Sequence, residues 1–98
     1  MRYTIRFTEE ARTHLRQLSA RERKSVLSEV AESLPNEPTR ETRNLKALRP
    51  NPLAKYELRI GLLRAFFEVR EASQEVLVLA IGRKEGNRLW VGGREIRL

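Results

Sequence analysis

Arg59 and Arg64 are the residues whose type and spacing most directly suggest chemistry. They lie in "YELRIGLLRAFFEV", residues 56–69, which reads as two strands joined by a turn at Gly61-Leu62. A glycine at the first central position of a two-residue loop suits a type II′ turn, and the resulting register pairs Arg59 with Arg64. Facing like charges destabilise a sheet. An anion held between two guanidinium groups would reverse that effect, because arginine binds phosphate through charge-assisted hydrogen bonds.

The neighbouring acidic residues allow a second interpretation. The same register sets Glu57 opposite Phe66 and Lys55 opposite Glu68. Either carboxylate could reach diagonally and neutralise an arginine, and a slip of one residue would separate the two arginines altogether. The pattern therefore predicts either an anion site or a salt-bridged pair of strands.

Further cations follow the apolar run "EVLVLAIG" in the chain. Arg83 and Lys84 leave the end of that predicted strand, and Arg88 and Trp90 share one face of the next. A basic cluster beside an aromatic ring suits single-stranded nucleic acid, through phosphate contacts and base stacking. We therefore expect Lys55, Arg88 and Trp90 to contact RNA, although Trp90 could also be part of the core.

The charge of the chain supports a polyanionic partner. The 98 residues carry a formal net charge of +7, with 16 arginines and 4 lysines. Residues 39–98 hold thirteen basic and seven acidic side chains, so most of the excess lies in the second half. The positive charge would attract nucleic acid, an acidic protein segment or an anionic membrane surface. A compositional bias could also explain the many arginines.

The scarcity of metal ligands and thiols narrows the possible chemistry. The chain has no cysteine, no aspartate and a single histidine, His14. Disulfides, thiolate zinc sites and cysteine nucleophiles are excluded, and we expect no metal and no cofactor. His14 falls beside the apolar stripe of the first predicted helix, so we expect it to be a surface or helix-packing residue.

Length and hydropathy predict one domain over residues 1–98, located in the cytoplasm. A chain of this size forms a single domain by default. It has no apolar run of about 18 residues that would predict a membrane span. The N-terminal "MRYTIRFTEEAR" lacks the apolar core of a secretion signal.

The first third of the chain predicts a strand followed by two helices. "RYTIRF" alternates polar and apolar residues as a strand does. Thr8 then suits a helix N-cap, and "SARE", residues 19–22, matches the capping box of a second helix that Pro35 ends. The expected buried stripe of the first helix is Ala11, Leu15 and Leu18, and that of the second is Val26, Leu27, Val30, Ala31 and Leu34.

The rest of the chain predicts a connector and then mostly strands. Residues 35–52 are punctuated by proline and read as a connector whose "NLKAL" docks through leucines. The period becomes two from Leu53 onward, giving the hairpin, the strand 75–82, which is apolar on both faces and therefore central, and a short strand at 87–91. The order β-α-α-β-β-β predicts an α+β fold, with the helix hairpin on one face of a mainly antiparallel sheet and the charged face left open.

These features together resemble the RelE/ParE superfamily of bacterial toxins from type II toxin–antitoxin pairs. The resemblance spans nearly the whole chain. It rests on the element order, the "NLKAL" connector, the hairpin "YELRIGLLRAFFEV" and the segment "VLVLAIGRKEGNRLW". The residues that match the family's hairpin pattern are Tyr56, Leu58, Arg59, Gly61, Arg64, Phe67 and Val69.

The resemblance implies a toxin with one of three activities. RelE-like members cut mRNA in the ribosomal A site, whereas ParE-like members act on DNA gyrase without the cleavage residues. Many are held inactive by an antitoxin whose C-terminal segment wraps the toxin surface. We expect a ribosome-dependent, metal-independent mRNA endoribonuclease. The alternatives are a ParE-like gyrase inhibitor and a degenerate, non-catalytic nucleic-acid-binding module.

The resemblance also assigns candidate catalytic residues. Arg59 matches a basic position of the family's second strand, and Arg64 matches the arginine of the third. Arg83 or Lys84 matches the basic residue after the central strand. Two residues depart from the pattern, since Glu57 replaces a lysine and Trp90 falls near a tyrosine. Tryptophan can stack on a base but cannot transfer a proton.

RNA cleavage through the ribose 2′-OH requires a base, cations and an acid. In this interpretation Arg59 and Arg64 hold the scissile phosphate, and Arg83 or Lys84 stabilises the leaving side. Glu57 is the candidate base, with a structural ion pair as its alternative role.

Overall fold

Two helices pack on one face of a seven-stranded, mainly antiparallel sheet in the computed structural model, which describes residues 2–98. Met1, which the predicted domain includes, lies outside the described residues. The predicted α+β class and helix hairpin are confirmed. The elements in chain order are β1 (Thr4–Phe7), α1 (Glu9–Arg16), α2 (Ala20–Ser33), β2 (Leu45–Ala47), β3 (Tyr56–Ile60), β4 (Leu63–Arg70), β5 (Glu75–Glu85), β6 (Arg88–Val91) and β7 (Arg94–Ile96).

Side-chain caps start both helices where the sequence predicts them. The Thr8 hydroxyl accepts a hydrogen bond from the Ala11 amide at 3.1 Å. At α2 the Ser19 hydroxyl accepts from the Glu22 amide, and the Glu22 carboxylate accepts from the Ser19 amide. Arg23 donates to the carbonyls of residues 15 and 18 at 3.0 Å. This side chain therefore satisfies the C-terminal end of α1 and ties the two helices together.

The buried stripe of α2 is narrower than the sequence suggests. Val26, Val30 and Leu34 are almost fully buried, whereas Leu27 is 41% exposed and Ala31 is also exposed. The buried residues recur every four positions and so form one row facing the sheet. Leu27 and Ala31 form the adjacent row, which lies past the edge of that contact.

β5 is the central strand, as its apolar sequence predicts. β4 occupies one edge, and the other edge is shared by β1, parallel along Glu75–Val78, and β6, antiparallel along Gly82–Glu85. Between them, the Thr8 hydroxyl donates to the Leu79 carbonyl at 3.2 Å. His14 Nδ1 accepts from the Ile81 amide at 3.1 Å. His14, only 6% exposed, is thus a packing residue that satisfies a buried backbone donor.

The hairpin has the predicted register. Arg59 pairs with Arg64, and Ile60 pairs with Leu63. Gly61 has a φ of 61°, the left-handed conformation that the first central position of a type II′ turn requires. The turn residue therefore fixes the two arginines opposite each other.

Two short strands lie where the sequence predicts a connector and a tail. "LKA" of the connector forms β2, in which Leu45 pairs with Leu58 and both side chains are buried. "REI" of the tail forms β7, which pairs with β6. Three residues are too few for an alternating pattern to be recognised, so pairing partners that are distant in sequence determine these strands.

The face away from the helices is not fully open, contrary to expectation. A second apolar cluster covers part of it, where β6 and β7 extend the sheet. Its buried members are Ala54, Phe66, Ala80, Leu89 and Val91. The charged hairpin end therefore borders an apolar surface rather than a bare sheet.

Candidate nucleic-acid interface

The strand register collects four of the predicted site residues on one face of the sheet. Arg59 pairs with Arg64, which pairs with Gly82 across the next ladder. Glu57 and Lys84 lie two positions from members of that row, and side chains two apart in a strand share a face. We call Glu57, Arg59, Arg64 and Lys84 the arginine face; it is the face opposite the helices.

Arg64 is the buried member of the arginine face, at 6% exposure. Its Nη1 donates to the carbonyls of Gly61 and Leu63 at 2.8 and 2.9 Å. These bonds fix the guanidinium beneath the hairpin turn and leave Nε and Nη2 as donors. An anion contacting these groups would meet a side chain that is already ordered.

Glu57 pairs with Arg64 by charge without a hydrogen bond. Its Oε2 lies 3.9 Å from Arg64 Nε, beyond the usual range for a hydrogen bond. The Glu57 side chain is 15% exposed. The carboxylate thus balances the buried guanidinium while its lone pairs stay available to another donor.

The titration of Arg64 reflects these neighbours. Burial lowers the pKa of Arg64 below its ordinary value, the Glu57 carboxylate opposes that change, and the Arg59 charge adds to the lowering. Burial is the main cause of the lowered pKa, and the attraction of Glu57 for Arg64 outweighs the repulsion from Arg59. A bound anion would stabilise both charged guanidinium groups further.

Arg59 is half-buried, and its Nε is enclosed without a hydrogen-bond partner among the described residues. It lines a groove with Arg43, Asn44 and Gly61 at the turn end of the hairpin. An enclosed guanidinium donor without a partner is unfavourable until an acceptor reaches it. This end of the sheet therefore presents a second group suited to phosphate.

Arg83 and Lys84 lie on opposite faces of the sheet. β5 continues through Glu85, so successive side chains alternate. Lys84 is exposed on the arginine face, and its amide donates to the Leu62 carbonyl at 2.8 Å. Arg83 instead contacts α2, where Nη2 donates to Glu22 Oε2 at 2.6 Å. That bond is the main cause of the lowered pKa of Glu22, followed by the Ser19 backbone.

The three predicted RNA contacts do not join the arginine face directly. Trp90 pairs with Arg83 and lies on the helix face, where its enclosed indole Nε1 has no partner among residues 2–98. Arg88 is exposed and forms a 3.5 Å ion pair with Glu95. Lys55 is exposed and lines a cleft with Glu68 at the far end of the hairpin.

Two cations near the site escape sequence reasoning. Lys46 is the cross-strand partner of Glu57, and Arg43 lines the groove beside Arg59. Both belong to the segment predicted as a connector. The signal for Lys46 is the alternation in "NLKAL", where a lysine separates two apolar residues as in an edge strand.

No cluster of three His, Cys, Asp or Glu side chains able to hold a metal ion occurs among the described residues. The charged groups at this site are instead guanidinium, ammonium and one carboxylate. No helix in residues 2–98 has the length and apolar character needed to cross a membrane.

Comparison with solved structures adds an independent finding. The chain is similar to a chain in the crystal structure of the toxin–antitoxin complex RelBE2 from Mycobacterium tuberculosis. The TM-score is 0.73 and the identity 27%, and the alignment covers 86% of this chain and 100% of the other. No family model and no curated protein sequence matches the chain.

The fold and the hairpin motif, together with this match, assign the chain to the RelE/ParE superfamily. Within that class, it is similar to the RelE-like toxin of RelBE2. The match does not separate the RelE-like branch from the ParE-like branch.

Proposed function

We propose that the chain is the toxin of a type II toxin–antitoxin pair and a metal-independent endoribonuclease that cuts mRNA on the ribosome. The observation that carries this proposal is the arginine face. It combines a carboxylate, two facing guanidinium groups and an exposed lysine on adjacent strands. These are the groups that cleavage through a ribose 2′-OH needs.

Glu57 acts as the base in this proposal. It takes the proton from the 2′-OH, whose oxygen attacks the adjacent phosphorus. The 3.9 Å separation from Arg64 supports this role, because the carboxylate is held near a cation but is not occupied by a hydrogen bond.

Arg59 and Arg64 hold the phosphate. Arg64 offers Nε and Nη2, and Arg59 offers an Nε that has no partner within residues 2–98. Both charges stabilise the additional negative charge that develops on the phosphate oxygens in the transition state. Because backbone carbonyls already fix Arg64, little rearrangement accompanies binding.

Lys84 completes the reaction at the leaving side. As the bond from phosphorus to the 5′-oxygen breaks, the Lys84 ammonium donates a proton to that oxygen. The products are a 2′,3′-cyclic phosphate and a 5′-hydroxyl, with the 2′-OH proton on Glu57. Lys84 is preferred to Arg83, because Arg83 lies on the other face and is paired with Glu22.

The proposed partners follow from charge and from the similar structure. RelBE2 is a toxin–antitoxin complex. We infer that this chain, too, binds a cognate antitoxin, whose acidic C-terminal segment neutralises the basic second half and covers the arginine face. The proposed site of action is mRNA on cytoplasmic ribosomes.

Induced expression with mapping of mRNA ends tests the proposal. We expect translation to stop within minutes and new 5′ ends to appear inside codons of translated messages, but not in the same messages when initiation is blocked. Cleavage that persists on untranslated RNA would contradict ribosome dependence. Growth arrest without any new ends would contradict the nuclease activity.

A ParE-like gyrase inhibitor is the second candidate, and one observation favours it. Trp90 lies on the helix face, so an aromatic side chain at that position cannot assist chemistry at the arginine face. Filamentation of the cells with DNA damage and intact messages would support this candidate. Recovery of growth in cells that carry a toxin-resistant gyrase would identify gyrase as the target. A chain with no effect on growth would instead be the non-catalytic binding module.

A further inference from the structure

A cleft of about 420 Å³ adjoins the arginine face under the β6–β7 hairpin. Glu57 and Lys84 form one of its walls, and Asn87, Leu89, Ile96 and Arg97 contribute to the remainder. The volume lies within the range of pockets that hold small ligands, roughly 300–1,000 Å³. Glu57 and Lys84 belong both to the arginine face and to this cleft. A nucleotide next to the proposed cut would therefore reach the cleft.

The cleft has an apolar wall suited to a nucleobase. Leu89 and Ile96 are cross-strand partners in β6 and β7 and belong to the second apolar cluster. Leu89 is 8% exposed, so it presents a fixed surface. Apolar side chains of this kind bury the flat face of an unstacked base, which single-stranded RNA can splay out.

Asn87 supplies the polar group that can read a base edge. It is exposed in the turn between β5 and β6 and lines the cleft. An asparagine amide presents a donor beside an acceptor, which matches N7 and the N6 amino group of adenine in a bidentate pair.

We propose that this cleft is the base-binding pocket of the enzyme, with Leu89 and Ile96 against the base face and Asn87 as the specificity-determining residue. The proposal rests on the proposed function. The favoured occupant is adenine, and uracil, which lacks an amino group, is the least favoured. Lys84 and Arg97 at the cleft contact the flanking phosphate.

Nucleotide titrations followed by NMR test the pocket without any cleavage. We expect adenosine 3′-monophosphate to shift the Asn87 side-chain amide and the Leu89 and Ile96 methyl signals, with an affinity roughly tenfold above that of uridine 3′-monophosphate. Asn87→Ala should remove the preference and leave Tm unchanged, because the side chain is exposed. Equal affinities, or shifts confined to residues outside the cleft, would overturn the proposal.

Mapping of cut sites provides a second readout. If the chain cleaves mRNA, Asn87→Ala should reduce cuts beside adenine more than cuts beside uracil, so that the enrichment of adenine beside the cut is lost. An enrichment unchanged in Asn87→Ala would overturn the assignment of Asn87. If no RNA is cut but the NMR preference is found, the proposed reaction fails while the base pocket stands.

Discussion

Arg83 on β5 and Glu22 on α2 form a 2.6 Å ion pair on the face of the sheet opposite Arg64. Glu22 is at the same time the capping-box residue that starts α2. The pair therefore connects the central strand to the beginning of a helix. Of the two adjacent cations that the sequence offers for the leaving side, Arg83 thus has a structural partner, and Lys84 is the residue that we propose as the acid.

The first prediction separates these two residues by function. Lys84→Ala should reduce mRNA cleavage by about 10²- to 10⁴-fold, the usual contribution of a general acid or base, with Tm nearly unchanged. Arg83→Ala should lower Tm by a few degrees and retain cleavage below that temperature. Quantitative primer extension and thermal denaturation measure the two effects. Full cleavage by Lys84→Ala together with lost cleavage by Arg83→Ala would contradict this prediction. It would show that Arg83, rather than Lys84, acts on the RNA.

The second prediction concerns pH and Glu22. Because Arg83 lowers the pKa of Glu22 in the folded chain, the pair contributes stability above the ordinary glutamate pKa of about 4.3 and loses it as pH falls through the lower, folded value. The Tm difference between the wild-type chain and Glu22→Gln should therefore be largest near neutral pH and shrink in acid. A difference independent of pH would contradict this linkage.

The third prediction addresses His14. His14→Ala leaves the buried Ile81 amide without an acceptor and should cost about 1–3 kcal/mol in the free energy of unfolding. His14→Asn is the matched variant, because its side-chain oxygen can occupy a position near Nδ1. It should recover part of the loss. Urea denaturation measures both, and hydrogen exchange of the Ile81 amide should quicken in the alanine variant only.

Equal stability of the two His14 variants would contradict the acceptor role. It would indicate that the imidazole contributes by filling space between α1 and β5 rather than by its hydrogen bond.

The fourth prediction concerns the anion site between the facing arginines. Phosphate at ten times its Kd should stabilise the chain by about 1.4 kcal/mol through mass action. Arg59→Gln should abolish the saturable part of this shift, because the unpartnered Nε is lost. Arg70→Gln, which removes the same charge from an exposed position on β4, is the control and should keep it.

Phosphate also stabilises proteins generally by exclusion from their surface, without saturation. The comparison of Arg59→Gln with Arg70→Gln removes that contribution. Identical phosphate responses in the two variants would contradict a site at the hairpin.

Local sequence rules predict most of the fold and part of the site. Gly61 sets the hairpin turn, and the turn sets the pairing of Arg59 with Arg64. Thr8 and the Ser19–Glu22 box start the helices where a capping signal is found. The hairpin turn and the helix caps each involve residues only a few positions apart. A short stretch of sequence therefore includes all the residues that form them.

Features that depend on distant residues escape such rules. Taking Gly82 as the end of a strand hides the alternation that sends Arg83 and Lys84 to opposite faces. β5 extends to Glu85 because β6 pairs with it. The β2 strand requires Leu58 as a partner. His14 requires the Ile81 amide, which lies on β5 between the residues that pair with β1 and those that pair with β6. Neither Leu58 nor Ile81 can be recognised as a partner from the local sequence pattern.

The central claim is that the arginine face cuts mRNA, and one measurement tests it most directly. Message 5′ ends are mapped after induction of the wild-type chain, Glu57→Gln, Lys84→Ala and the exposed control Arg70→Gln, at matched levels of folded protein. We expect cuts within codons for the wild type and Arg70→Gln, and a loss of at least about 100-fold for the other two. Undiminished cleavage by Glu57→Gln and Lys84→Ala would contradict the account.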